Sequence, residues 1–273
     1  MNTRLATGVG FALFFALALW LPVPGLFALV LALLLSAGIW EWTPLCSLNS
    51  LLSRVSALVV ANLAFLLMIV ATNAQSPVPL QLMMSAFWAW VLVIPLLWRA
   101  RTGEPIFTNS WLIGLAGFLF LLSTASGLYW LAQMPQGEWR VLLLVGVVAT
   151  ADSCAYFAGK RFGRKPLASE LSPHKTFEGV YGGLFGNFVL AVLISWSLRL
   201  SPEASLLLFL LIFGGSLLSV AGDLFESAIK RNVGVKDSGS LLPGHGGILD
   251  RIDGLMAATP YFVLATALYA PMA

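Results

Sequence analysis

Residues 227–253, SAIKRNVGVKDSGSLLPGHGGILDRID, hold the densest set of side chains able to do chemistry. Lys230, Arg231, Lys236 and Arg251 supply cationic donors. Gly244, Gly246 and Gly247 flank His245, so bare backbone can approach a ligand and turn N–H groups toward phosphate. Asp250 and Asp253 stand three apart at the start of the last apolar segment, on one face of a helix, and Asp237 adds a third carboxylate. Carboxylates beside basic groups and glycine backbone are what a Mg²⁺–nucleotide site needs. The ion takes one or two carboxylates and completes its shell with phosphate oxygens and water. The cations offset charge growing on transferring and leaving phosphates. A solvated loop would account for the basic residues, but not for three aspartates or the Gly-His-Gly-Gly turn. No G-x-S-x-G or H-E-x-x-H pattern competes.

Two acids upstream lie inside apolar stretches. Asp152 sits in VVATADSCAY and Asp223 in SVAGDLFESAIKR, each roughly 9 Å from a helix end at 1.5 Å per residue. An acid at the centre of a membrane span costs about 2.5–3.5 kcal/mol, so such residues usually face a polar cavity. A helix–helix hydrogen bond is the plainer alternative. Asp223, Glu226 and Lys230 recur at helical spacing. Glu226 and Lys230 read as a helix-surface salt bridge in the favourable i,i+4 order, with no catalytic role for Glu226.

These residues must be positioned by membrane helices. Hydrophobic residues are 59% of the 273 and charged residues 10%, with a mean hydropathy of +0.90. Soluble domains carry about 25% charged residues. A spanning helix needs about 20 apolar residues. Nine stretches approach this: 5–21, 25–42, 55–72, 80–98, 111–132, 140–158, 179–198, 205–228 and 254–271. The expected fold is therefore an all-α, polytopic membrane helical bundle of about nine transmembrane helices. The first stretch lacks a small-residue cleavage site and is read as a retained helix; it and the second could instead form a re-entrant pair. Trp20, Trp40, Trp42, Trp88, Trp90, Trp98, Trp111 and Trp130 read mostly as interfacial anchors. Gly182 and Gly186 form a G-x-x-x-G suited to close helix packing. Cys46 and Cys154 read as small packing residues.

With nine spans, all but Arg140 and Arg199 of the 15 Lys+Arg fall on one side. The positive-inside rule then sets the N-terminus in the cytoplasm and the C-terminus outside. Residues 1–138 are expected to be five scaffold or dimer-contact spans. Residues 139–273 are expected to be the catalytic helices, with cytoplasmic loops 159–178 and 229–253. No nucleic-acid partner is expected.

The 227–253 segment resembles the signature of the integral-membrane CTP:phosphatidate cytidylyltransferases, or CDP-diacylglycerol synthases. Ser227, Lys230, Arg231, Lys236, Asp237, Gly239, Pro243, His245, Gly246, Gly247, Asp250, Arg251 and Asp253 meet that pattern at every spacing. Upstream, Asp152, Tyr156, Gly159, Lys160, Gly163, Lys165, Ser172, Pro173, Lys175, Thr176, Glu178 and Gly179 are similar as well. The likeness is good over roughly 150–270; the N-terminal half matches only as apolar helices. The resemblance implies Mg²⁺ held by Asp223, Asp250 and Asp253, with the number of cations left open. It implies contacts from Lys230, Arg231, Lys236 and Arg251 to CTP or lipid phosphate, with Asp237 also catalytic, and a loop shaped by His245 and its glycines. Substrate binding would fall to Asp152, Tyr156, Lys160, Lys165, Ser172, Lys175, Thr176, Glu178, Gly246 and Gly247. It further implies CTP and phosphatidate as substrates, a homodimer, and a bacterial inner (plasma) membrane location with the site facing the cytoplasm. Two rivals are a relative acting on another lipid phosphate and a secondary transporter. The halves show no internal repeat, which disfavours the transporter.

Overall fold

Hydrocarbon offers no partner to a backbone N–H or C=O, so a chain this apolar has to satisfy both within helices. The computed structural model describes residues 15–101, 104–107, 109–239 and 246–269, and meets that demand with eight long helices. They are α1 (Leu26–Leu45), α2 (Leu51–Asn73), α3 (Val78–Ala100), α4 (Ser110–Gln133), α5 (Gly137–Phe162), α6 (Phe177–Ser197), α7 (Pro202–Asn232) and α8 (Leu249–Tyr269). Each is long and apolar enough to cross a membrane. They correspond to the second through ninth expected stretches. Of the first, 5–21, residues 15–20 are helical and 5–14 lie outside the described residues.

The helix starts are written locally. Ser50, Asn109, Thr176 and Ser201 cap α2, α4, α6 and α7, each accepting a first-turn backbone N–H. α7 opens with Pro202 and ends with Lys230 and Arg231, the basic pair favoured at the negative end of a helix dipole. Its 31 residues span about 46 Å against a hydrocarbon core of about 30 Å. The last turns of α7, with Glu226, Lys230 and Arg231, therefore have length to reach beyond the core.

Prolines inside the helices free carbonyls that other helices use. Pro260 cannot bond the carbonyl of Met256, and the Trp90 indole of α3 donates to that oxygen at 3.0 Å. Pro44 likewise releases the Trp40 carbonyl, which accepts from Arg54 Nη2 at 2.9 Å and Thr43 Oγ1 at 3.0 Å. Gly182 and Gly186 do bring helices into close contact. A Cβ on either would overlap α5, at Ala158 and at the Cys154 sulfur. Asn187 adds a hydrogen bond to the Val147 carbonyl at 3.0 Å.

Two readings need correction. The segment after α5 is not wholly loop: β1 (Pro166–Ala168) and β2 (Ser172–Thr176) pair antiparallel, Pro166 opposite Thr176 and Ala168 opposite Ser172. Trp42 and Trp90 are not interfacial anchors but fully buried side chains, unlike exposed Trp88, Trp98 and Trp111. Trp42 donates to the Ile113 carbonyl at 2.9 Å, a position open because α4 carries Gly117 there. One cluster of buried apolar residues runs from Phe15 to Val263, joining N-terminal and C-terminal helices.

Candidate active site

Hydrogen bonds gather one end of the bundle. Glu41 near the C-terminus of α1 accepts the Leu249 N–H at the start of α8, 2.9 Å away. Asn232 at the end of α7 reaches the Phe107 carbonyl ahead of α4, and Arg231 reaches Leu171 between β1 and β2. Beneath this end lies an aromatic floor. Phe225 packs against Trp42, Trp90, Phe120 and Phe107 at centroid distances of 6.0, 5.2, 5.4 and 6.3 Å. Close-packed rings hold the adjacent Glu226 and the α7 turns beyond it in place.

Lys230 is the centre of the first polar cluster. Its ammonium lies 3.3 Å from Glu226 and 2.5 Å from Asp250 Oδ1. The pair with Glu226 is not the surface bridge that spacing suggests. The Lys230 and Glu226 side chains are only 10% and 1% exposed. Asp250 Oδ2 meanwhile accepts from Gly247 N at 2.8 Å and Ser238 Oγ at 3.0 Å. This carboxylate therefore ties α7, Ser238, Gly247 and the first turn of α8 together. Gly246 adopts φ +80°, in the left-handed region open to glycine, and a Cβ there would crowd Asp250 Oδ2 at 2.9 Å.

Lys175 on β2 makes the second cluster through an ion pair with Asp223. Asp152 stands on α5 and Asp253 on α8, where its Oδ1 accepts the Gly254 N–H at 2.7 Å. Asp223, Glu226 and Lys230 follow one another along one face of α7, so the two clusters adjoin. α7 and α8 come this close because Gly222 lies against the Asp253 carbonyl, where any Cβ would overlap backbone.

Around the clusters the expected residues divide. Arg231 ties the hairpin to α7, donating to the Leu171 and Val235 carbonyls, both at 3.3 Å. Glu178 accepts from the backbone N–H of Arg164 and Lys165 at 3.0 and 3.2 Å, fixing the chain ahead of β1. Thr176 caps α6 through Gly179 N at 3.1 Å, and Ser172 opens β2. Lys160 lies over the Tyr156 ring at 5.8 Å, and both are exposed. Lys236 and Asp237 are exposed and enter no hydrogen bond or ion pair among the described residues. Arg251 is exposed on the first turn of α8. His245 lies outside the described residues.

Ammonium groups held by carboxylates beside glycine backbone, at one end of a membrane bundle, suit the handling of phosphates. Comparison with known proteins gives the chemistry a name. The cytidylyltransferase family pattern matches residues 2–269. The chain belongs to the cytidylyltransferase family. It is an integral membrane nucleotidyltransferase. A Pseudomonas aeruginosa protein named phosphatidate cytidylyltransferase is 37% identical over 239 residues, 86% of each chain. One of the same name from Haemophilus influenzae is 33% identical over 262 residues, 90% of this chain and 91% of its own. A chloroplastic phosphatidate cytidylyltransferase of Arabidopsis thaliana is 44% identical over 160 residues, 54% of this chain and 39% of its own.

For a cytidylyltransferase, a divalent cation at these carboxylates is chemically reasonable in one form. Among the described residues, no three His, Cys, Asp or Glu side chains are arranged to hold a metal by themselves. Mg²⁺ needs only one or two carboxylates when phosphate oxygens and water fill the rest. Two acids such as Asp223 and Asp253 would be enough for an ion that arrives with a nucleotide, and too few for a permanent protein cage.

One residue of this cytidylyltransferase escaped the sequence reading. Glu41 is an acid inside the apolar stretch 25–42, and only 3% exposed. The rule that flagged Asp152 and Asp223, that a carboxylate in a span marks a polar site, applied to it equally.

Proposed function

We propose that this chain transfers CMP from CTP to phosphatidate, releasing pyrophosphate and forming CDP-diacylglycerol. The setting is the inner leaflet of a bacterial inner (plasma) membrane, with the site facing the cytoplasm. The observation that carries the reading is the junction of the Lys175 and Lys230 clusters at the membrane-helix ends, in a chain whose relatives are named for this reaction.

A lipid phosphate oxygen attacks the α-phosphorus of CTP. The new P–O bond forms as the bond to the β-phosphate bridge breaks, and pyrophosphate takes the electron pair. A phosphomonoester has its second pKa near 6, so the nucleophile is already anionic and needs no strong base. The obstacle is repulsion between two polyanions. Lys230 and Lys175 offer fixed positive charge against it, and the Gly246–Gly247 backbone can approach phosphate without side-chain obstruction. Held by Asp223 with Asp253 or Asp250, Mg²⁺ would supply further charge neutralisation.

The purified protein given radiolabelled CTP, phosphatidate and Mg²⁺ is expected to yield labelled CDP-diacylglycerol, with loss on adding excess EDTA and recovery on returning Mg²⁺. Product formed only from an isoprenoid ether lipid phosphate would move the assignment to a different acceptor. α8 runs away from the site end, so a reporter fused after Ala273 is expected to respond as extracytoplasmic. A cytoplasmic response would overturn the proposed sidedness.

A further inference from the structure

We infer that Glu41, an acid of the N-terminal half, is a positioning residue for the transfer site; the inference rests on the reading above. The residue is buried, only 3% exposed. It lies against both arms of the signature loop. Oε2 accepts the Leu249 N–H at 2.9 Å and the Ser238 hydroxyl at 3.3 Å. That hydroxyl also lies 3.0 Å from Asp250 Oδ2, so it stands between the two carboxylates.

The glycines of the loop fit this contact. A Cβ on Gly239 would come within 2.5 Å of Glu41 Oε1, and one on Gly247 would overlap Glu41 Oε2 and Ser238. Residues 238–239 and 247–249 thus lie against Glu41, and glycine at 239 and 247 is what permits it. An anionic side chain also suits the N-terminus of α8, whose first N–H groups have no partner within the helix. Oε1 has no hydrogen-bond partner among the described residues. A buried carboxylate oxygen left in this way is costly, so a role confined to packing would be served better by an apolar side chain.

The consequence runs through Asp250. With Glu41 in place, Ser238 and Gly247 are held where both meet Asp250 Oδ2, and Asp250 Oδ1 is directed at Lys230. Without it, the Leu249 N–H loses its acceptor, and the Ser238 hydroxyl keeps only Asp250 Oδ2 and loses its tie to α1. Glu41 touches no reacting atom in this account; it sets the orientation of the residues that do.

Glutamine can keep both acceptor contacts through its single oxygen, whereas leucine keeps neither. Glu41→Leu is expected to lower kcat per folded molecule about 10–100-fold, the usual range for a supporting residue, with little change in KM for CTP. Glu41→Gln is expected to stay within about threefold of wild type. Because the effect passes partly through Ser238, adding Ser238→Ala to Glu41→Leu is expected to lower kcat by less than the product of the single effects. Wild-type kcat in Glu41→Leu, a glutamine variant as impaired as leucine, or multiplicative double-mutant effects would overturn the inference. If Glu41→Leu does not fold, the comparison of Glu41→Gln with Ser238→Ala decides. Near-full activity in the first and a clear kcat loss in the second support the inference, and any other pattern overturns it. Hydrogen exchange at the Leu249 amide gives a readout independent of substrate. It is expected to accelerate in Glu41→Leu, or in Glu41→Ala if leucine does not fold, even if the wild-type enzyme uses another lipid. Unchanged exchange would overturn the anchoring itself.

Discussion

Asp250→Asn is expected to reduce cytidylyl transfer by about a hundredfold or more while leaving a protein that inserts and purifies. The size follows from how fully the carboxylate is engaged. Oδ1 faces the Lys230 ammonium at 2.5 Å, and Oδ2 faces Gly247 N at 2.8 Å and the Ser238 hydroxyl at 3.0 Å. An asparagine has one acceptor oxygen and one NH₂. Whichever way it turns, a donor is set against the Lys230 ammonium or against the Gly247 N–H. The substitution therefore removes a charge and also splits a junction that the carboxylate holds together. The stability cost should stay near 1–3 kcal/mol, because the Asp250 side chain keeps 18% of its exposure and water can serve the freed groups. Asp250→Glu restores the charge with one extra methylene and should fall between the two. The measurement is turnover of labelled CTP into CDP-lipid, normalised to folded protein. Turnover of Asp250→Asn within a few fold of wild type would remove Asp250 from the site.

That junction explains which parts of the molecule could be read from sequence. The helices were legible because a membrane forces the pattern: each needs an apolar run of sufficient length, and Ser50, Asn109, Thr176 and Ser201 mark starts chemically. Lys230 and Asp250 were legible because fixed spacings and helical periodicity place them on defined faces. The hairpin was not, because its strands are three and five residues long. Its stability comes from elsewhere: buried Ala168 and Leu171, the Arg231 bond to Leu171, and the Glu178 grip on Arg164 and Lys165. Trp42 and Trp90 were misread because an indole near a span end looks the same whether it faces lipid or another helix. What decides is the carbonyl freed by Pro260 and the gap at Gly117, both on other helices. Glu41 itself is flagged by its place in an apolar span, but its partners are not: Ser238 and Leu249 lie 197 and 208 residues away, and no local pattern announces a contact of that range.

Lys230→Met is the second large effect, and here stability and catalysis can be separated. The Lys230 and Glu226 side chains are 10% and 1% exposed, so solvent screening that makes surface pairs weak does not apply. Removing the ammonium leaves Glu226 buried with no partner, since its Oε1 already lacks one among the described residues. Breaking one side of a buried pair costs about 3–5 kcal/mol. The single variant should therefore unfold at a clearly lower temperature in detergent and lose transfer activity. Replacing both residues, as Lys230→Met with Glu226→Leu, removes the stranded charge, and apolar pairs in such places are often as stable as the ion pair they replace. The double variant should regain most of the thermal midpoint. It should not regain turnover, because Asp250 still lacks its cation and the substrate phosphates still lack theirs. Lys230→Arg should recover little, since a planar fork does not replace a compact ammonium held between two carboxylates. Thermal unfolding and labelled-CTP turnover on the same preparations make the comparison. A double variant that is both stable and active would show that the buried pair serves folding alone. A double variant that is stable and inactive would show that Lys230 is retained for the charge it presents, at a position where the fold by itself would be served as well by a hydrocarbon.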